Sequence, residues 1–321
     1  MFLKLFILIL SIFLMVLFGA LARKRNILDG ESTRRIAIAI TNFFYPALIF
    51  SALTSHFTLR TLTETWQLPV GALIVMATGY FVGIAFSPFL SFRHETERNS
   101  FAFQCTINNY SFLPLPIILL LFGESGVAML IFSTLGSELA VWTIGVLALT
   151  GNRFTRKNLL HLLSVPMLAL IFALGVIVIR ELPMVTGASW LRSEILLEAN
   201  RSFVSVLDLF GKATVPLAMF AAGSRMSELK WSRIFSFNQL VLASIRLLLI
   251  PAIACVIFFL LPLKTDVRNV LLVLAIMPSA VASVILSEVY GADVVFSATG
   301  VLVSHIFSLV TIPAWLYFLL R

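Results

Sequence analysis

The chain has 321 residues, of which 60% are apolar and 12% charged, with a formal net charge of +8. Soluble domains carry roughly 45–50% apolar and about 25% charged residues. This composition, with a mean hydropathy of +1.03, excludes an ordinary water-soluble enzyme or nucleic-acid-binding module. Basic residues gather at the ends of membrane helices, so the positive balance needs no nucleic acid. Apolar runs of about 20 residues, the length that spans a bilayer, recur almost without pause. The chain reads as one all-α polytopic domain in the cell membrane, with the inner (cytoplasmic) membrane of a bacterial-type cell as the expected location.

Residues 2–22 are apolar apart from Lys4 and are followed by Arg23-Lys24-Arg25. The pattern imitates a signal peptide, but a basic stop directly after the apolar run argues for a retained first helix. Further spans are predicted at about 34–55, 67–90, 99–122, 125–149 and 159–179. A polar stretch, 180–202, forms an outer loop, where Trp190 and Leu191 are spaced to lie on the membrane surface. The remaining spans are 203–223, 235–261, 268–289 and 294–319, ten in all. His161 is placed at the interface.

With the N-terminus outside, the inner loops hold 13 basic residues and the outer ends and loops 8. That agrees with the positive-inside rule and puts both termini outside. Five spans per half with opposite entry directions suggest an inverted repeat, 1–150 and 157–321. The first half of the chain, 1–179, then holds spans one to five plus span six of the second repeat, and 203–321 holds spans seven to ten. Pro46 precedes Phe50 as Pro216 precedes Phe220. Gly123 and Gly291 each sit in a short turn before a further apolar span.

Spans four and nine are broken. The fourth carries Asn108, Asn109, Tyr110, Ser111, Pro114 and Pro116 amid apolar sequence. The ninth carries Pro278, Ser279 and Ser283. Proline lacks the N–H and disfavours helix at the preceding residue, so Leu113, Leu115 and Met277 are expected to leave helical geometry. Freed backbone groups in hydrocarbon must find protein, an ion or a cavity. Each break makes a half-helix N-terminus with partial positive charge. Pro116 is expected at the first position of one half-helix and Ser279 as the cap of the other. Two such ends meeting near the midplane would bind an anion.

Ionisable residues within spans are costly and often functional. Arg246 would brace the breaks or attract the anion. Glu138 and His305, at corresponding positions beside Ser137 and Ser304, are candidates to carry a coupled proton. Asp208 and Lys212, spaced i,i+4, read as a helix-surface ion pair. Cys105 and Cys255 lie in apolar segments and need neither a disulfide nor a metal.

Enzyme chemistry finds no support. There is no His-Glu-x-x-His, paired-cysteine or Walker sequence. Gly123-Glu-Ser-Gly126 lacks the setting of a nucleophile elbow. Ser304 and His305, adjacent on a helix, point about 100° apart. No ring of charged residues suggests a selectivity filter. An anion channel and a non-transporting receptor remain the alternatives to a carrier.

These motifs resemble the auxin efflux carrier family of permeases, which includes plant auxin carriers and bacterial organic-acid permeases. The fourth-span pattern Asn-x-Gly-x-x-Gly-x-Pro aligns with Asn109–Pro116, with Ser111 and Pro114 in place of the glycines. Pro216–Gly223, Arg246–Pro251, Met277–Ala280, Tyr290–Asp293 and Val303–Pro313 are similar to later family motifs. The sixth span has Val165-Pro166 where members often carry Asn-Pro. The resemblance implies ten spans as an inverted repeat, crossing fourth and ninth helices, and a moving bundle working against a scaffold. It also implies a homodimer and small organic anions as substrates, with no cofactor beyond a possible coupling ion, H⁺ or Na⁺.

Overall fold

The computed structural model describes residues 2–151, 160, 162–182, 194–227 and 236–319. The surface segment around Trp190 and Leu191, His161 and the basic residues of 152–159 and 228–235 lie outside them. Among the described residues the fold is all helical, apart from one isolated β-bridge.

The helices in order are α1 (Phe2–Lys24), α2 (Gly30–Ala39), α3 (Tyr45–His56), α4 (Leu59–Glu64), α5 (Gln67–Phe86), α6 (Glu95–Thr106), α7 (Pro114–Ala140) and α8 (Val146–Thr150). Then come α9 (Val165–Arg180), α10 (Glu194–Met226), α11 (Phe237–Ser244), α12 (Ile250–Leu260), α13 (Thr265–Ala275), α14 (Ala282–Val289) and α15 (Val294–Leu319). Six helical runs among the described residues are long and apolar enough to cross a membrane: Gly30–His56, Leu59–Phe89, Pro114–Thr150, Arg201–Met226, Phe237–Leu260 and Val294–Leu319. α9 is apolar but shorter.

Local chemistry sets the ends and irregularities. Asp29 caps α2 by accepting the Ser32 N–H at 2.6 Å, which with Arg23 holds its carboxyl below the usual range. Ser164 and Ser236 cap α9 and α11 in the same way. Two π-turns, Ile40–Phe44 and Ile245–Leu249, lie just before Pro46 and Pro251. A proline removes the donor that an α-turn needs, and the wider turn absorbs the loss. Inside the long run of α7, Gly123 takes φ 67° and ψ −165°, a conformation that glycine adopts without Cβ strain. The chain therefore turns there, between the predicted fourth and fifth spans. Gly291 has φ 69° at the matching point after α14.

The helices pack as two groups. α1, α3, α9 and α10 lie against one another, whereas α5, α6, α7 and α11–α15 form the other set. The groups touch where α3 and α9 meet α7 and where α1 meets α15. Outward faces are apolar, with Phe81, Phe89, Leu209, Phe318 and Leu260 all exposed. In water such a surface would aggregate; in lipid it is solvated.

Candidate functional site

The first break begins where α6 ends at Thr106. Ile107 turns extended (φ −102°, ψ 114°), and helix resumes at Pro114. The second begins where α13 ends at Ala275 and closes at Ala282. The two extended stretches lie side by side. Asn108 and Ser279 form an antiparallel bridge, in which the Asn109 N–H donates to Pro278 O at 2.7 Å and the Ala280 N–H to Ile107 O at 3.2 Å. Each break thus satisfies part of the other's backbone, as a water-free interior requires.

Side chains complete the junction. Asn108 Nδ2 donates to Leu274 O at 2.6 Å, near the end of α13. Gln104 Nε2 donates to Ser297 O and to Ser283 Oγ. Ser279 Oγ donates to Gln104 O, and the Ser279 N–H to Ser304 Oγ. Arg246, fully buried, donates from Nε to Met277 O at 3.2 Å, from Nη1 to Cys105 O at 3.1 Å and from Nη2 to Ala275 O at 2.7 Å. Its cation thus sits at the C-terminal ends of α6 and α13, where orphan carbonyls concentrate negative potential. Arg246 braces the breaks and lies off the cavity described below.

Three expectations need correction. Leu113 has helical dihedrals (φ −72°, ψ −40°), and Leu115 lies inside α7. Pro114, not Pro116, holds the first position of α7, with Pro116 third. The first turn of a helix has no intrahelical acceptors for its N–H groups, so both prolines fit without breaking it. Ser279 does not cap α14, whose N-terminal flanking residue is Val281 and has no side-chain cap. The bridge to Asn108 holds Ser279 extended and turns its hydroxyl toward Gln104 instead. Met277, in contrast, leaves the helix as expected.

A cavity of about 260 Å³ lies against this junction. Asn108, Asn109, Tyr110 and Ser111 line it from the first break, Ala280–Ala282 from the second, and His305 from α15. Helices α1 and α10 close the far side through Phe13, Val16, Met219 and Arg225. Both packed groups therefore contribute walls. His305 Nδ1 lies 2.8 Å from Val301 O and Nε2 lies 3.5 Å from Asn109 Nδ2. With Nδ1 donating to the carbonyl, Nε2 is left to accept from the amide. The Tyr110 hydroxyl donates to Glu138 Oε1 at 2.8 Å. Trp142 Nε1 donates to Glu138 Oε2 at 3.0 Å. Pro114, Pro116, Pro278, Ser279, Ser283 and Glu138 do not line the cavity. Glu138 reaches it through Tyr110, and the others shape it from behind.

A second cavity, about 830 Å³, opens between α3, α7, α9 and α10. Its floor is apolar (Leu48, Leu115, Val127, Val215). Its rim holds a charge cluster: Lys212 pairs with Asp208, as the spacing foretold, and also with Glu124 at 3.8 Å, while His56 Nε2 lies 3.3 Å from Glu124. The roles of Gln104 and of the rim residues His56 and Glu124 had no signal in the sequence, because each depends on a partner far along the chain. Among the described residues no group of three or more His, Cys, Asp or Glu lies close enough to hold a metal.

Comparison with known proteins gives the junction its context. A family model described as membrane transport protein matches residues 4–158 and 154–316. An uncharacterized transporter of Methanocaldococcus jannaschii is 26% identical over 328 aligned positions, covering 98% of each chain. An uncharacterized transporter of Methanothermobacter thermautotrophicus is 26% identical over 314 positions, covering 96% of each.

Proposed function

Because the chain belongs to the membrane transport protein family, the auxin efflux carrier family, we propose that this multi-pass membrane protein is a secondary carrier of small organic anions. The observation that carries the reading is the mutual bridging of two helix breaks beside a partly polar cavity. Half-helix N-termini at α7 and α14 place partial positive charge near that cavity, and Arg225 of α10 adds a side-chain cation to its wall. Asn109 and Ser111, which line the cavity, offer hydrogen-bond partners to a carboxylate. Asn108, Ser279, Ser283, Pro114, Pro116 and Pro278 hold the backbone in place.

The ten-span inverted repeat is part of this proposal. It is supported by the paired breaks, by positive φ at Gly123 and Gly291, and by helices α1, α6, α9, α13 and α14 standing where the remaining spans are required. Transport proceeds by alternating access, with the α5–α7 and α11–α15 group moving as an elevator against α1, α3, α9 and α10. The larger cavity is the access route on one side. Both termini face outward by the basic-residue count, and two copies form a dimer. The coupling ion is H⁺ or Na⁺, with Glu138 and His305 the protonatable candidates.

The test is transport by purified protein in proteoliposomes, screening monocarboxylates, dicarboxylates and indole-3-acetate, with and without Na⁺ and a pH gradient. Saturable current or labelled uptake of one class is expected, and its loss in Asn109→Ala. Linear, non-saturating flux would indicate a channel. Ligand-induced thermal stabilisation with no flux in either assay would indicate a receptor.

A further inference from the structure

Tyr110 has two faces. Tyr110 lines the smaller cavity, and its hydroxyl donates to Glu138. It joins that cavity by a hydrogen bond to a carboxyl group within the helical bundle. We propose that Tyr110 couples occupancy of the cavity to protonation of Glu138, so that the carrier moves an organic anion together with a proton. The proposal rests on the anion-carrier reading above.

The surroundings of Glu138 are spare. One oxygen accepts from Tyr110 and the other from Trp142. Both donors are neutral. No Lys, Arg or His forms an ion pair with Glu138 among the described residues. Among the described residues four phenols face this region, and Arg225 of α10 lines the cavity with Tyr110. Tyr110 comes from the break. Tyr45, from α3, reaches Ser111 and Thr134. Tyr80, from α5, and Tyr290, which follows α14, pack in the same apolar cluster as Trp142. Across the cavity stands His305, with both ring nitrogens engaged.

An ionised carboxylate away from water survives only while donors and charges compensate it. In the proposed cycle the empty protein holds Glu138 as the carboxylate on these two hydrogen bonds. A carboxylate anion entering the cavity is itself an acceptor, without a hydrogen to give. The phenol has one hydrogen, and it cannot serve two carboxylates. If the substrate takes it, Glu138 keeps only Trp142 and gains a negative neighbour. Both changes favour its neutral form. A proton from solution then binds Glu138, and the resulting carboxylic acid donates to the Tyr110 oxygen. The chain of donors runs from Glu138 through Tyr110 to the substrate, every group satisfied. The balance is one anion bound and one proton taken up; no covalent bond to the substrate forms or breaks. A monoanion then crosses as a neutral pair, whereas a dianion carries one net negative charge.

The test uses the purified full-length protein in lipid, with acetate, succinate and indole-3-acetate as probes against chloride at constant ionic strength and neutral pH. Binding is read by thermal stabilisation. Protonation is read by the protonated-carboxyl band in infrared difference spectra, using ¹³C-labelled probes to separate their own bands. A pH-indicator dye in weak buffer reads proton uptake by the wild-type protein alone.

A probe that stabilises the protein should raise the protonated-carboxyl band and take up one proton per anion. Glu138→Gln should lose the band. Tyr110→Phe, which keeps the ring in the cavity wall, should still bind the probe with weaker affinity but without the band. The proposal is overturned if a probe stabilises the wild-type protein with no proton uptake, or if Tyr110→Phe retains the full band. If no probe binds, the anion reading itself falls and the coupling falls with it.

Discussion

Replacing Arg246 with methionine tests whether the two breaks are held by one side chain. The substitution keeps an unbranched apolar stem and removes all three donors. It strands Cys105 O, Ala275 O and Met277 O, each in a buried setting with no water to replace the guanidinium. A buried acceptor left unsatisfied costs about 1–3 kcal/mol, so three place the loss at about 3–9 kcal/mol. Relief of the arginine's own desolvation works the other way, and exchanging a buried charge for packed apolar groups can recover about 1–4 kcal/mol. Here the partners are carbonyls that stay behind, so the penalty outweighs the relief and a net loss of several kcal/mol is expected. Domains are stable by about 5–15 kcal/mol, which makes this a large fraction. The assay is thermal or SDS-induced unfolding in mixed micelles, with Arg246→Lys as comparison. Lysine keeps a charge and three donors on a shorter reach and should fall between wild type and methionine. If Arg246→Met unfolds with wild type, or later, the bracing argument is wrong.

Other outcomes follow from the same geometry. Gly79→Ala puts a Cβ within 2.2 Å of Cys105 O, pressing α5 against the carbonyl that Arg246 holds, and should lower the melting temperature. Pro116→Ala should transport like wild type because position three of α7 needs no N–H partner, whereas Asn109→Ala should abolish saturable uptake; equal loss in both would contradict the helix-start assignment. Lys212→Ala breaks two ion pairs that are more than a third exposed, and exposed pairs contribute little, so its melting curve should overlay wild type. Asp29 has a lowered folded-state pKa. Its contribution is therefore complete above the unfolded carboxylate pKa and is lost as pH falls through the folded value. Asp29→Ala should lower stability at neutral pH and converge with wild type in strong acid, and a constant gap at every pH would refute the cap.

Much of this protein is legible in the sequence because its causes are local. Twenty-residue apolar runs, proline and glycine positions, and the i,i+4 spacing of Asp208 and Lys212 act within a turn or two of helix. They placed the six helical runs long enough to cross a membrane, both breaks, and the ion pair as well. The same local reasoning misassigned Leu113, Leu115 and Ser279. Whether a proline breaks a helix or opens one depends on where the chain last left helical geometry, and that point, at Thr106, is set by pairing with Pro278 and Ala280 far along the chain. Only the tertiary structure decided what the freed groups bond to. The carbonyls of Cys105 and Ala275 meet Arg246 from another helix, Glu138 meets Tyr110, and the cavity closes only when α1 and α10 pack against the junction. Apolar periodicity tells a helix which face to bury, but in hydrocarbon every unpaired polar group must also find a particular partner, and that choice is made by the packed fold.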